Sequence, residues 1–347
     1  ETAATPGGRH DGRLLSTTAI GAELRRVVCD PAERPLRREQ AARQLARLAR
    51  AGVYGADPEE WWGMRGASTR EPLQKPRRSV QLSPSRIEST LRCPLRSVLD
   101  RLVDDAETPI HMVRGTLAHG FAEAIARGAD SDAASALVYE AYAGLLDVPV
   151  WQRDTALREW DTLIDNLERW LENTRGQFEQ VGVEMDMRVS VGTTESGAPL
   201  RIKGRMDRLE RNNDGELVVV DVKTGSSKPA QKNMGEHAQL AAYQLALSRG
   251  VVDGDSVRDP YPGETPEAVG GGVLVYPSAT DVGKYTTREQ AAKTPEELEE
   301  LAAMLPGVAA AIRGPALTAI VNDNCDNCRL QSICPAQPTG RMLTNGS

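Results

Sequence analysis

The chain has 347 residues, 40% of them hydrophobic and 4% aromatic, and its 42 Lys plus Arg against 49 Asp plus Glu leave a formal net charge of -7. That length supports a sizeable core and suits one large domain with an appendage, or two domains. No run approaches ~18 uninterrupted apolar residues and no charged-then-apolar leader opens the chain, so neither a membrane span nor export is expected, and a cytoplasmic protein is.

The charge is unevenly placed. Residues 1–103 hold 19 basic against 12 acidic side chains, and the remainder holds 23 against 37. A basic N-terminal third could contact phosphates while the acidic remainder includes metal-binding carboxylates, although many of its arginines could equally be solvated helix faces. The chain opens on Glu1 and runs straight into helical sequence, so it is expected to be the C-terminal part of a longer protein. It contains no G-x-x-x-x-G-K-[ST] phosphate loop, which excludes a motor of that type from these residues.

Residues 1–12 read as a disordered lead-in, and Leu36, Ala41, Leu45 and Leu48 recur at helical spacing over residues 36–50. The Gly- and Pro-bearing stretch 51–78, with Trp61-Trp62 inside it, reads as a packed connector. A boundary near residue 80 follows: a helical extension over 1–79, expected to end an upstream region, and a domain over 80–347. Ser85 and Glu88 have capping-box spacing, and Ile87, Leu91, Val98, Leu99 and Leu102 continue a helix that Pro94 should bend or break. Cys93 therefore falls at an irregular turn. Further helices are expected over about 112–127, 132–146 and 154–180, the last with Trp160, Leu163, Leu167, Trp170 and Leu171 inward. From Glu184 the period becomes two, predicting strands over about 184–191, 200–208 and 216–223 in a meander that turns at Asn212-Asn213-Asp214-Gly215. A helix over 235–248, a buried strand over 272–276, a helix over 295–313 interrupted at Pro306, and a cysteine tail complete the chain. The order is that of an α/β core with helical additions.

Five cysteines in a reducing compartment are poor disulfide material, and the odd number favours a metal site for four of them. Cys325, Cys328 and Cys334 form C-x2-C-x5-C, which leaves a tetrahedral centre one ligand short. Cys93, in Leu91-Arg92-Cys93-Pro94-Leu95, is the candidate fourth, and closing with it would bridge 231 intervening residues. Spacing alone hardly separates zinc from an iron–sulfur cluster. Cys29 is left over and is expected to be a small buried apolar residue.

The chemistry concentrates on two predicted strands. Gly204-Arg205-Met206-Asp207-Arg208 and Val218-Val219-Val220-Asp221-Val222-Lys223-Thr224-Gly225 put two carboxylates and a lysine on neighbours joined by a short turn. Asp221 and Lys223, two apart, share a face of their strand, and an acid in so apolar a run is costly unless paired or metal-bound. Each signal alone has a plainer reading. Asp221 and Lys223 could be a strand-end ion pair, His119 a satisfied helix histidine, and Gln239 with Tyr243 an ordinary polar edge.

Together these residues resemble, in order and spacing, the RecB-like branch of the PD-(D/E)XK nuclease superfamily, over about residues 80–340. In that branch G-x-x-x-H supplies a histidine ligand, matched by Gly115 and His119. G-x-x-D-R is matched by Gly204, Asp207 and Arg208; D-x-K-T-G by Asp221, Lys223, Thr224 and Gly225; and Q-x-x-x-Y by Gln239 and Tyr243. The resemblance implies a restriction-endonuclease-like α/β core, a mixed central sheet flanked by helices, with a helical N-terminal extension and a four-cysteine cluster. Mg2+ or Mn2+ would be bound by His119, Asp207, Asp221 and the Val222 carbonyl, with Lys223 orienting the attacking water. Gln239 would position the lysine or a phosphate, and Tyr243 would support the site or touch DNA. Glu123 and Glu184 are candidates for the outer shell, with solvated surface the commoner reading.

The cysteine pattern resembles the subset with a 4Fe-4S cluster. More narrowly, the tail Cys334-Pro335-Ala336-Gln337-Pro338-Thr339-Gly340-Arg341 and the helical lead-in resemble the C-terminal nuclease domains of actinobacterial AdnAB-type helicase-nuclease subunits. That resemblance implies resection of double-strand breaks on single-stranded DNA, a heterodimer partner that also carries motor and nuclease, and no membrane. A non-catalytic DNA-binding scaffold with a cluster, and a stand-alone CRISPR-associated nuclease of the same branch, are the alternatives.

Overall fold

A computed structural model of the chain describes residues 16–61, 71–73, 79–102, 110–225 and 227–337. The expected lead-in over residues 1–12, Trp62 with most of the connector, and the tail from Pro338 onward lie outside them. Contacts divide the chain into two units, residues 1–71 with 321–347 and residues 72–320.

Among the described residues the first unit holds two α-helices and one 3-10 turn, Pro58–Glu60. α1 (Thr17–Cys29) starts where the Ser16 side chain accepts from Ala19 N, a capping signal the periodicity did not pick out. α2 (Pro35–Arg50) opens on a proline, whose missing N–H costs nothing in a first turn. It buries Ala41 and Leu45, while Leu36 stays exposed. Cys29 corrects the expectation of a buried residue: it is exposed, because α1 buries Gly21 and Val27 and its last residue points away from that stripe. The cysteine tail is a run of turns.

In the second unit, β1 (Val80–Leu82) leads into α3 (Pro84–Arg92) and α4 (Pro94–Leu99). The cap of α3 is Ser83, accepting from Arg86 N, and not Ser85, because Pro84 takes the first helical position. Cys93 joins the two helices in extended conformation and is buried, and Leu95 N donates to Thr318 O at 3.0 Å. Next come α5 (Ile110–Ala126), α6 (Ser131–Leu145) and α7 (Val150–Thr174). α7 stops short of residue 180, since the chain turns at Arg175-Gly176 and enters β2 (Phe178–Thr193). Then β3 (Pro199–Asn212), β4 (Leu217–Val222), α8 (Ala238–Arg249), β5 (Val251–Asp253), β6 (Ser256–Arg258), β7 (Val269–Pro277), β8 (Tyr285–Ala291) and α9 (Pro295–Arg313) follow. α9 starts at a full capping box of Thr294 and Glu297. Pro306 does not interrupt it, because Leu301, Leu305, Val308, Ala309 and Ile312 hold both sides of the proline against the core.

The strands described form one mixed sheet in the order β5-β6-β2-β3-β4-β7-β8, with β1 added parallel to β3. β2, β3 and β4 are the expected antiparallel meander; β7 lies parallel to β4. Parallel neighbours need a crossover, and α8 lies on it. The short or polar strands β1, β5, β6 and β8 carry little alternation and were not expected. One face of the sheet packs α3, α8 and α9 around Met185, Met187, Ile202, Val219 and Leu274. The other packs α5, α6 and α7 around Val218, Val220, Val222 and Val275. Among the described residues no helix is long and apolar enough to cross a membrane.

Leu240 of α8 is fully buried and sits over Gly272, where an added Cβ would already lie 3.1 Å from its Cδ2. Leu240→Ala should lower stability by about 2–5 kcal/mol, read by urea denaturation as a lower midpoint with unchanged slope.

Candidate active site

Every residue of β4 is buried. Leu217 and Val219 belong to the cluster under α8, and Val218, Val220 and Val222 to the opposite one, so strand alternation aims Asp221 at α8. Asp221 is only 3% exposed, and an ionised carboxylate there needs partners. It has two. The Lys223 ammonium lies 2.7 Å from Oδ2, and Gln239 Nε2 donates to Oδ1 at 2.7 Å. Lys223 Nζ in turn donates to Gln239 Oε1 at 3.0 Å, which closes a ring of acid, amide and amine. Oδ2 is buried and faces the ammonium. One turn along α8, buried Tyr243 donates to Arg205 O at 3.1 Å and ties the helix to β3.

Asp207 stands where the β3–β4 ladder ends. The last pair is Arg208 with Val220, so Asp207 and Asp221 are one step beyond it on adjacent strands. Asp207 Oδ2 accepts from Val222 N at 2.9 Å and lies 3.3 Å from His119 Nδ1. His119 also lies against the Val222 backbone. It is delivered by α5, which runs so near the loop after Lys223 that a Cβ at Gly115 would touch Thr224 Oγ1 at 3.4 Å. At Gly204 a Cβ would sit 3.1 Å from Pro84 Cδ, so this glycine makes room for the start of α3. Arg208, the last residue of that motif, pairs with buried Glu210.

A further acid joins them. Glu184 of β2 sits between the pairs Val183–Arg208 and Met185–Met206, which makes Asp207 its ladder neighbour. Among the described residues, His119, Glu184 and Asp207 are the one set of three or more ligand-type side chains whose donor atoms all lie within 4.8 Å of one another. The structure thus brings Glu184 to the centre, where sequence reading favoured the surface. Its side chain is 20% exposed. Glu123 makes a surface ion pair with Arg127 at 3.0 Å. Asp221 lies outside the set, turned toward Lys223 and Gln239.

Crowding of acids sets the protonation chemistry. Burial raises the Asp207 carboxyl well above the usual range, and the charge of Asp221 adds to it. Burial lowers His119, partly offset by Asp221, so the imidazole is neutral at neutral pH. For Lys223 burial also pulls down, but Asp221 and Asp207 outweigh it and the amine stays charged. Burial, then the two aspartates, pushes the Tyr243 phenol up, which keeps it a hydrogen-bond donor. Burial and the nearby charge of Glu123 raise Glu184. Carboxylate oxygens with one neutral imidazole are the donor set of a hard divalent cation such as Mg2+ or Mn2+, and a dication would relieve the mutual repulsion. The residues fit such an ion.

The cysteines are divided between the units. Cys93 belongs to the second; Cys325, Cys328 and Cys334 follow one another through turns of the first. There Asn322 N donates to Cys325 Sγ at 3.3 Å, and Gln331 Nε2 donates to the carbonyls of Cys325 at 2.6 Å and Asp326 at 2.7 Å.

Two acids, a lysine and a histidine stand together at the central strands of a mixed, helix-flanked sheet in an α/β protein. The family model of the PD-(D/E)XK nuclease superfamily matches residues 81–335, a span that contains all of these residues. The chain belongs to the PD-(D/E)XK nuclease superfamily, whose members are typically metal-dependent hydrolases. Comparison with curated proteins finds no match. Among solved structures, that of SSO0001 is similar at 17% identity with a TM-score of 0.35, covering 74% of this chain and 86% of that chain. So loose a likeness carries no argument.

Asp207, with its carboxyl raised by the fold, stabilises the folded state below the unfolded carboxylate range and loses that contribution as pH rises through its raised value. A bound dication needs that carboxylate charged and His119 neutral, so its stabilisation runs the opposite way. The rise in Tm on adding Mn2+ should therefore be larger at about pH 8 than at about pH 5.5 by calorimetry, and equal rises would refute the assignment.

Proposed function

We propose that the chain is a Mg2+- or Mn2+-dependent deoxyribonuclease that cuts single strands delivered by an associated helicase, in double-strand-break resection. The observation that carries this reading is the ring that buried Asp221 and Gln239 form with half-buried Lys223, set beside Asp207 and His119. Asp207, Asp221, His119 and the Val222 carbonyl would hold the cation, which supplies a lowered pKa for a bound water and neutralises charge on the scissile phosphate. Lys223, charged and held by two partners, would orient that water and meet the negative charge on the phosphoryl oxygens. Gln239 is a positioning residue: its amide holds the acid with one end and the amine with the other. Tyr243 keeps α8, and so Gln239, in place against β3.

The cysteines support a second element of the proposal. Cys93, Cys325, Cys328 and Cys334 would bind a 4Fe-4S cluster that clips the chain and leaves hydrolysis to the acids; an N–H aimed at Cys325 Sγ suits a thiolate ligand. The helicase partner, the single-stranded substrate and the AdnAB-type assignment rest on the resemblance of motif order and tail.

Labelled single-stranded DNA should be cleaved with Mn2+ or Mg2+ and spared with EDTA. Asp221→Ala should be as inactive as the EDTA control, and Lys223→Ala should lose roughly 10²–10³ in kcat with little change in DNA binding. Activity unchanged in both variants would leave a DNA-binding scaffold as the better reading. Purified protein should be brown, with thiolate-to-iron absorption that Cys328→Ser abolishes; a colourless protein containing zinc would overturn the cluster assignment.

A further inference from the structure

The chemistry above leaves Glu184 without a task, although its carboxylate reaches the centre of the cluster. Its cation partner is loose: Arg205 Nη1 stands 3.7 Å away, the arginine is 60% exposed, and it also leans on Asp186 at 3.3 Å. So exposed and shared an ion pair explains little of why a half-buried acid is placed beside another. Glu184 is also, among the described residues, the one non-glycine with positive φ, at 48°. A strand has no use for that conformation. Met185 and Met187 of β2 stay in the core under α8 and α9, while Glu184 turns to the side where α5 brings His119.

We propose that Glu184 is a cation ligand, which with His119 and Asp207 closes the β2 side of the metal site; this rests on the metal-dependent nuclease reading. Asp207, on β3, then stands between the carboxylates of Glu184 on β2 and Asp221 on β4. The consequence is a site with three acids and one imidazole, able to hold its cation before DNA arrives. A ligand role accounts for both the placement and the backbone, since strain held at one residue is retained where the surroundings need its side chain.

The test is titration of the whole chain with Mn2+ in the absence of DNA, following free aqueous Mn2+ by electron paramagnetic resonance. Glu184→Gln should weaken binding roughly 10–100-fold, the range found when a residue that orients a metal site is lost. Asp186→Asn removes a charge two residues along the same strand and should leave the affinity unchanged. Glu184→Gly should weaken Mn2+ like the glutamine variant while the metal-free Tm stays at or above that of the unmodified chain, because glycine accepts φ 48° without strain. Should both Glu184 variants bind Mn2+ as the unmodified chain does, or Asp186→Asn weaken it equally, the assignment of Glu184 is overturned. An unmodified chain that takes up no Mn2+ would instead overturn the metal-dependent reading on which it rests.

Discussion

A negative charge at the end of a wholly buried strand is the constraint from which the rest of the site follows. Asp221 ends a run of valines with almost no access to water, where a carboxylate without polar partners is costly. Lys223 answers the charge from the same face of the chain two residues on, but one ammonium leaves the second oxygen unsatisfied. That oxygen is bonded by Gln239, a residue of α8, so the helix has to lie over β4. Its packing is supplied by Leu240, Ala242, Leu245 and Ala246, all fully buried, and by the absence of a side chain at Gly272. The apolar face of α8 and the amide at Gln239 are therefore one requirement.

Asp207 carries the opposite tension. Its oxygen is held by the Val222 amide and approached by His119, yet burial and Asp221 push its proton affinity up. A carboxyl so placed is poised between a proton and a metal. α5 brings the histidine because Gly115 lets the helix lie against Thr224. Stability and chemistry are coupled here: the charges that weaken the metal-free fold are those that would bind the ion.

Much of this was legible in the chain. The meander, the placement of Asp207 and Asp221 at adjacent strand ends, and the shared face of Asp221 and Lys223 follow from short-range periodicity and a tight Asn-Gly-type turn, whereas Gln239 was placed beside the lysine only by the resemblance of motifs. The position of Glu184 did not. Continuing the pairing of Thr193 with Pro199 would set Met185 opposite Asp207, but the irregularity between Ser190 and Gly192 moves the register by one and brings Glu184 there instead. Gly192, at φ 146°, sits at that shift. Nothing in alternation announces a one-residue slip, which exchanges the two faces of a strand.

The sequence by itself determined which residues could carry chemistry and which pairs of them must be neighbours, because a strand's two-residue period and a helix turn are local properties of the backbone. Tertiary structure alone decided the rest: that Pro306 stays inside α9, that Cys29 faces solvent, that Asp221 points at α8 and that Glu184 reaches His119. Those outcomes depend on which faces other elements cover and on where a ladder slips, and burial and register are sums over the whole fold.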